Sequence, residues 1–199
     1  VREQRAAALL GSRQLARQAM RSRGRELAMI DRSDVTFVVS DEERDILARE
    51  APSAHVERVS NIHEAYGRSA PFASRKGLLF VGGFGHPPNE DAVRWFAREV
   101  LPRLRETESA IELHVVGDID DRSRRSLEGA GLVVHGRVAD LAALLGKARL
   151  SVAPLRFGAG VKGKVNQAMS HGLPVVLTTI AAEGMHLVHG VDAMIADEP

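Results

Sequence analysis

The stretch Pro154-Leu155-Arg156-Phe157-Gly158-Ala159-Gly160-Val161-Lys162-Gly163-Lys164-Val165-Asn166-Gln167-Ala168-Met169 decides the fold. It follows a short apolar run, Leu150–Ala153, and opens onto helical spacing. A buried strand, a glycine-rich turn and a helix start therefore come in succession. Gly158 and Gly160 permit tight backbone turns. The helix start offers free N–H groups and a positive dipole end, with Arg156, Lys162 and Lys164 close by in sequence. Such a loop suits an anion, best a phosphate or diphosphate. The plainer alternative is a connector whose lysines sit in solvent.

Similar strands flank this one. Leu78–Val81, Ile111–Val116, Leu132–His135, Pro174–Leu177 and a last one near 193–196 are mostly apolar, with helical segments between most of them. Largely apolar strands alternating with helices predict a parallel sheet covered on both faces, a doubly wound α/β domain. Its ligand is expected at the carboxyl ends of the strands. After Leu78–Val81 comes a Gly/Pro loop, 82–88. Asn89 is expected to cap a helix whose Ala92, Val93, Phe96, Val100, Leu101 and Leu104 share a face, with Pro102 kinking or ending it.

Toward the amino terminus, residues 1–30 are expected to form one long helix. Through residue 32, eight arginines stand against Glu3, Glu26 and Asp31. Such a run reads as a solvated face, with a contact to anionic lipid or to a further domain as the alternatives. Val35–Val39 predicts a buried strand. Ser40-Asp41-Glu42-Glu43 has the form of a capping box before a helix ending near Ala51. Val56–Val59 is a weak strand, and 60–76 has no periodicity. The expected organisation is 1–64, the remnant of an amino-terminal domain; 65–76, a linker; and 77–199, a nucleotide-binding domain. Residues 1–64 hold too few strands for a complete core, so they are expected to leave apolar surface exposed or to cover it with another chain or domain.

The 199 residues contain no cysteine and carry a formal net charge of +1. Disulfides, zinc–thiolate sites and a thiol nucleophile are therefore excluded. The charge gives no electrostatic case for nucleic acid. No apolar run reaches the ~18 residues of a membrane span. Start and end both read as cuts in a longer protein.

Two motifs tempt and fail. Gly158–Lys164 fits the start of a P-loop, but Val165 stands where Ser or Thr must hold Mg²⁺. Gly83-Phe84-Gly85-His86-Pro87-Pro88 resembles a dinucleotide fingerprint, but Pro88 replaces the third glycine. His186 and His189 lack further ligands at metal spacing, so no metal is expected.

Several segments together resemble a family. Phe80–Phe84, Pro88–Ala92, His114–Gly117, His135-Gly136-Arg137-Val138, Arg156–Lys164, Gln167–Met169, Gly172–Val176 and Ala182-Glu183-Gly184-Met185 are similar, in order and spacing, to the carboxyl-terminal domain of family-four (group 1) glycosyltransferases. Residues 33–64 resemble the end of their amino-terminal domain. The resemblance implies a GT-B enzyme that transfers a sugar from a nucleotide diphosphate donor, with retention and without a metal or other cofactor. The acceptor would be a growing polysaccharide or a lipid-linked glycan. It places the protein in the cytoplasm, with membrane association at the inner face left open.

By position, the resemblance gives Arg156 and Lys162 the catalytic role of neutralising the diphosphate, with Lys164 beside them. Gly160, Val161 and Lys162 would donate backbone N–H groups, and Gly82, Gly83 and Phe84 would lie near the phosphates. Arg137 and Val138 would flank the base. Gln167 would meet the ribose, and Glu183 completes the substrate-binding set. Fixed cations at a departing diphosphate stabilise the transition state more than the ground state.

The sequence also departs from the family. Many members carry two glutamates eight positions apart; Ala159 and Gln167 stand here. A basic pair after the first strand is replaced by Gly83, Phe84 and His86. These departures motivate the alternative of a nucleotide-sugar-binding module that has lost catalysis. A generic NAD(P) or ATP domain is a third reading, disfavoured by the broken fingerprints.

Overall fold

The computed structural model describes residues 1–129 and 131–199. Its backbone contacts divide into two units. One comprises 1–62, 157–162 and 182–186; the other comprises 63–156, 163–181 and 187–199.

The first unit begins with α1 (Arg2–Leu10) and α2 (Arg13–Ile30), where the sequence predicts one helix. The break has a local cause. Gly11 adopts φ +61 as a left-handed cap, and the Ser12 hydroxyl accepts from the Leu15 N–H at 3.3 Å. A glycine followed by serine thus ends one helix and caps the next. Arg13, Arg17, Arg21 and Arg25 fall four apart along α2 and are exposed. This agrees with a solvated face.

β1 (Thr36–Val38), α3 (Asp41–Glu50) and β2 (Val56–Arg58) follow, with β1 and β2 parallel. The Ser40 hydroxyl accepts from the Glu43 N–H, as a capping box requires. Glu43 reaches back one residue further than expected, to the Val39 N–H at 2.9 Å. β1 is shorter than predicted and only partly buried: Val38 is in the core, but Phe37 is 64% exposed, because this sheet has only two strands. Met20, Met29 and Ile62 are also exposed, which leaves the apolar surface expected of so small a unit.

The second unit is the predicted parallel sheet. Its strands are β3 (Lys76–Val81), β4 (Leu113–Val116), β5 (Leu132–Gly136), β6 (Ala148–Ala153), β7 (Val175–Leu177) and β8 (Met194–Ile195). They pair in parallel in the order β5-β4-β3-β6-β7-β8. Leu78, Leu79 and Phe80 of the central strand are almost fully buried. Each such side chain contributes roughly 1.5–3 kcal/mol by leaving water. The helices are α4 (Pro87–Trp95), α5 (Leu101–Thr107), α6 (Asp121–Leu127), α7 (Leu141–Lys147), α8 (Gly163–Ser170) and α9 (Thr179–Ala182). Of these, α7 lies along β3 and β6, and α8 along β6 and β7.

Asn89 is not a cap. α4 starts two residues earlier, with Pro87 and Pro88 in its first turn, where a missing N–H costs nothing. A π-helical turn, Phe96–Val100, joins α4 to α5, with Pro102 at the start of α5. The proline thus marks a discontinuity rather than a stop. Residues 63–75 lie against the sheet unit. Ser170 O accepts from the Tyr66 and Gly67 N–H groups, and the buried Arg75 guanidinium donates to the Ala70 and Gly172 carbonyls.

Candidate functional site

The sheet order reverses direction between β3 and β6, the first strand and the fourth strand of the unit in sequence. The loops that leave their carboxyl ends diverge from a shared edge, the place where doubly wound sheets hold ligands. The residues from 82 to 84 follow β3, and Arg156 follows β6.

Backbone hydrogen bonds tie three loops at this edge. The Gly82 N–H donates to Val116 O at 2.7 Å, Gly117 N–H to Gly136 O at 2.9 Å, and Phe84 N–H to Asp118 O at 2.8 Å. Two glycines are dictated by these approaches. A Cβ on Gly117, which has φ +154, would strike the Gly82 backbone, and one on Gly82 would lie 2.7 Å from the Asn89 amide and from Lys164 Nζ. Phe84 is 7% exposed and joins the core. Its ring is packing, and its N–H is spent on Asp118.

The cations of this unit have defined partners. Arg156 makes a bidentate pair with Asp91 of α4, Nε to Oδ2 at 2.9 Å and Nη2 to Oδ1. That bonding, ahead of the opposing effect of burial, raises the Arg156 pKa above its ordinary value. Lys164 Nζ donates to Asn89 Oδ1 and stands 4.3 Å from the centre of the Phe80 ring. Asn89 in turn donates to Gly83 O at 2.8 Å. α4 therefore supplies both side chains that orient the basic residues of the β6–α8 segment within this unit. Gln167 is half-buried on α8. On the following loops, Arg137 is exposed and pairs with Asp118 at 2.7 Å, and Val138 is half-buried.

Gly160, Val161, Lys162 and Glu183 belong to the other unit. Lys162 is 9% exposed, and one of its three N–H bonds goes to Gly160 O. Burial pushes its pKa below the ordinary lysine value; the negative charge of Glu183 opposes this, and Arg5 adds to it. Both Glu183 carboxylate oxygens accept from Arg5, at 2.6 and 2.7 Å. This bonding, against the effect of burial, holds the Glu183 pKa below the usual range. Gly160 has φ +72 and faces Glu43, whose Oε1 would lie 2.9 Å from a Cβ there. Ala159, Gly160, Glu43 and Glu183 line part of a cleft of about 950 Å³ in this unit.

Asp91, Asn89 and Arg5 were missed by sequence reasoning. Asp91 lies inside a segment that carries the resemblance but no assigned role, and Asn89 is expected there only as a helix cap. Arg5 was hidden among seven other arginines. No motif spacing marks any of them.

Val165, which stands at the magnesium hydroxyl position of a P-loop, is in the core. His186 lies 3.6 Å from Asp41, and His189 Nδ1 accepts from the Ile195 N–H. Among the described residues, no group of three or more His, Asp or Glu side chains could hold a metal. Nor is any helix among them long and apolar enough to cross a membrane.

The family profile described as glycosyl transferases group 1 matches residues 75–199. This chain belongs to that family. The chain is also 28% identical over 130 residues to an uncharacterized 44.6 kDa protein in the cps region of Klebsiella pneumoniae, covering 61% of this chain and 34% of that protein. Among solved structures it is similar to TarM, with a TM-score of 0.75 at 14% identity, covering 89% of this chain and 36% of TarM. It is similar to Anabaena HepE, solved with UDP and glucose, with a TM-score of 0.63 at 13% identity, covering 83% and 50%. The same holds for sucrose-phosphate synthase from Thermosynechococcus elongatus, with a TM-score of 0.65 at 18% identity, covering 85% and 47%. These likenesses establish the GT-B fold of the sheet unit. The chain spans about a third of the length of the Klebsiella relative and of TarM.

Proposed function

We propose that this chain carries the donor-nucleotide part of a retaining glycosyltransferase, which moves a sugar from a nucleoside diphosphate to a polysaccharide or lipid-linked acceptor. The observation that carries the reading is the switch point. The glycine loop after β3 and the loop bearing Arg156 leave adjacent strands at one edge of a sheet that belongs to this family.

In this reading Arg156 and Lys162 neutralise the departing diphosphate, with Lys164 as a further cation. Gly82, Gly83 and the backbone from Gly160 to Lys162 approach the phosphates. Arg137 and Val138 flank the base, and Gln167 accepts from or donates to a ribose hydroxyl. Glu183 belongs to the same substrate-binding set. Charge on the leaving group is met by fixed cations, so the reaction as proposed needs no cofactor. HepE was solved with UDP, which makes UDP the first ligand to test. We place the protein in the cytoplasm, and the exposed arginines of α2 offer a peripheral contact to anionic lipid.

One observation favours the second reading, a binding module without turnover. Arg156 is already bidentate on Asp91, and Ala159 and Gln167 replace the glutamates common in the family. Release of nucleoside diphosphate from a nucleotide sugar by the protein that contains this chain separates the two readings.

A panel of UDP, GDP, ADP and NAD followed by thermal unfolding tests the nucleotide class. A ligand at 100 times its Kd stabilises by about 2.7 kcal/mol, so the right diphosphate produces a clear rise in Tm. Stabilisation by NAD alone contradicts the reading. Gln167→Ala is expected to reduce discrimination between ribose and 2′-deoxyribose forms of the bound nucleotide, measured as the ratio of their Kd values.

A further inference from the structure

Arg5 differs from the arginines around it. Those along α2 are exposed at four-residue spacing, whereas the Arg5 side chain is two-thirds covered and its guanidinium is bonded to two partners. Nη1 donates to Glu183 Oε2 at 2.7 Å and to Gly158 O at 2.8 Å; Nη2 donates to Glu183 Oε1 at 2.6 Å. Glu183 and Gly158 lie on two separate loops of this unit, 182–186 and 157–162. One planar side chain from α1 therefore ties both loops together.

The tie has two physical consequences. The first is electrostatic. Arg5, Lys162, Glu43 and Glu183 form one cluster, and the attraction of Glu183 already acts on Lys162. With both oxygens bonded in parallel to a guanidinium, Glu183 has its charge met in a fixed fork geometry. Without Arg5, the cations left to act on Glu183 are Lys162 and the amino group of Val1. The second is steric. Arg5 holds the Gly158 carbonyl, and in a trans peptide the following Ala159 N–H points the opposite way. The loop amide is thereby turned away from Arg5.

We infer that Arg5 is a positioning residue for the donor diphosphate: it neutralises Glu183 and pins the 157–162 loop, so that Lys162 stays available to the phosphates. The inference rests on the donor reading above. Arg5 acts through Glu183 and the loop rather than by touching the donor.

The test combines calorimetry with amide exchange on Arg5→Ala, Arg5→Lys, Glu183→Gln and the Arg5→Ala/Glu183→Gln double variant. Losing a charge-assisted tie is expected to weaken UDP binding by about tenfold in Arg5→Ala, with uridine unaffected. Arg5→Lys, which keeps the charge but not the fork, falls between wild type and Arg5→Ala. In the Glu183→Gln background, Arg5→Ala is expected to cost no more than about threefold, because contacting residues are not additive. Amide protection in 157–162 and 182–186 falls in Arg5→Ala while that of α2 is retained.

An equal loss from Arg5→Ala in both backgrounds overturns the inference, because Arg5 then acts independently of Glu183. Unchanged loop protection overturns it too. A wild-type chain that binds none of UDP, GDP and ADP overturns the donor reading itself. Loop exchange then decides the clamp alone: faster exchange in Arg5→Ala supports it, and unchanged exchange contradicts it.

Discussion

At the scale of single residues, Gly117 shows how closely the loops of the sheet edge are fitted. Its φ of +154 and its approach to the Gly82 backbone leave no room for a methyl group. Gly117→Ala should therefore cost about 2–3 kcal/mol through overpacking against backbone that cannot move aside. For a chain of this size each kcal/mol lowers Tm by roughly 2–4 °C, which thermal unfolding resolves. Lys162 poses the opposite case. Its folded pKa is lowered, so the folded state disfavours the ammonium relative to the unfolded chain. The penalty is fully present at neutral pH and fades as pH rises from the folded pKa to the ordinary lysine value. Lys162→Met should raise Tm at pH 7, and the gain should shrink in alkali, while diphosphate binding falls. A lower Tm at pH 7 would show that the lysine stabilises the fold and is not held there for a ligand. The run of glycines and cations before a helix start was legible from sequence. Their partners were not. Asp91 lies 65 residues from Arg156, Asn89 lies 75 from Lys164, and Arg5 lies 178 from Glu183, distances that no local pattern spans.

At the scale of elements, hydrophobic runs predicted all six strands of the sheet, since strands buried on both faces have nothing to alternate with. The helices were less legible. Gly11 and Ser12 split the first one through cap geometry, and paired prolines moved the start of α4 ahead of Asn89. β1 has strand sequence but lacks a covering layer, so its Phe37 is exposed. Between β4 and β5 the structure adds a feature the sequence did not announce. His114 Nδ1 lies 2.9 Å from His135 Nε2, and the rings stack. One nitrogen must donate and the other accept. Burial, and then His135, lower the His114 pKa, while Glu112 at 3.8 Å opposes them. As pH falls below about 6.5 the unfolded chain takes up a proton that the folded chain resists, so stability declines until the folded pKa is passed. Urea unfolding at pH 7.5 and 5.5 should show this decline, and His114→Gln should reduce it. An equal slope in both proteins would assign the pH dependence elsewhere.

At the scale of the molecule, the two units differ in what their composition lets them do. The sheet unit has a complete core, and the loops at its carboxyl edge are tied by backbone bonds before any ligand arrives. The amino-terminal unit has a two-stranded sheet, an arginine-rich helix and exposed Met20, Met29, Phe37 and Ile62. The family match covers residues 75–199. The central claim is that the loop cations serve a nucleoside diphosphate. Calorimetry of UDP and of uridine against wild type and Lys162→Ala tests it most directly. Charge-assisted bonds of roughly 1.5–3 kcal/mol predict that Lys162→Ala weakens UDP by about 10- to 100-fold and leaves uridine nearly unchanged. Equal loss for both ligands, or loss for neither, would contradict the account.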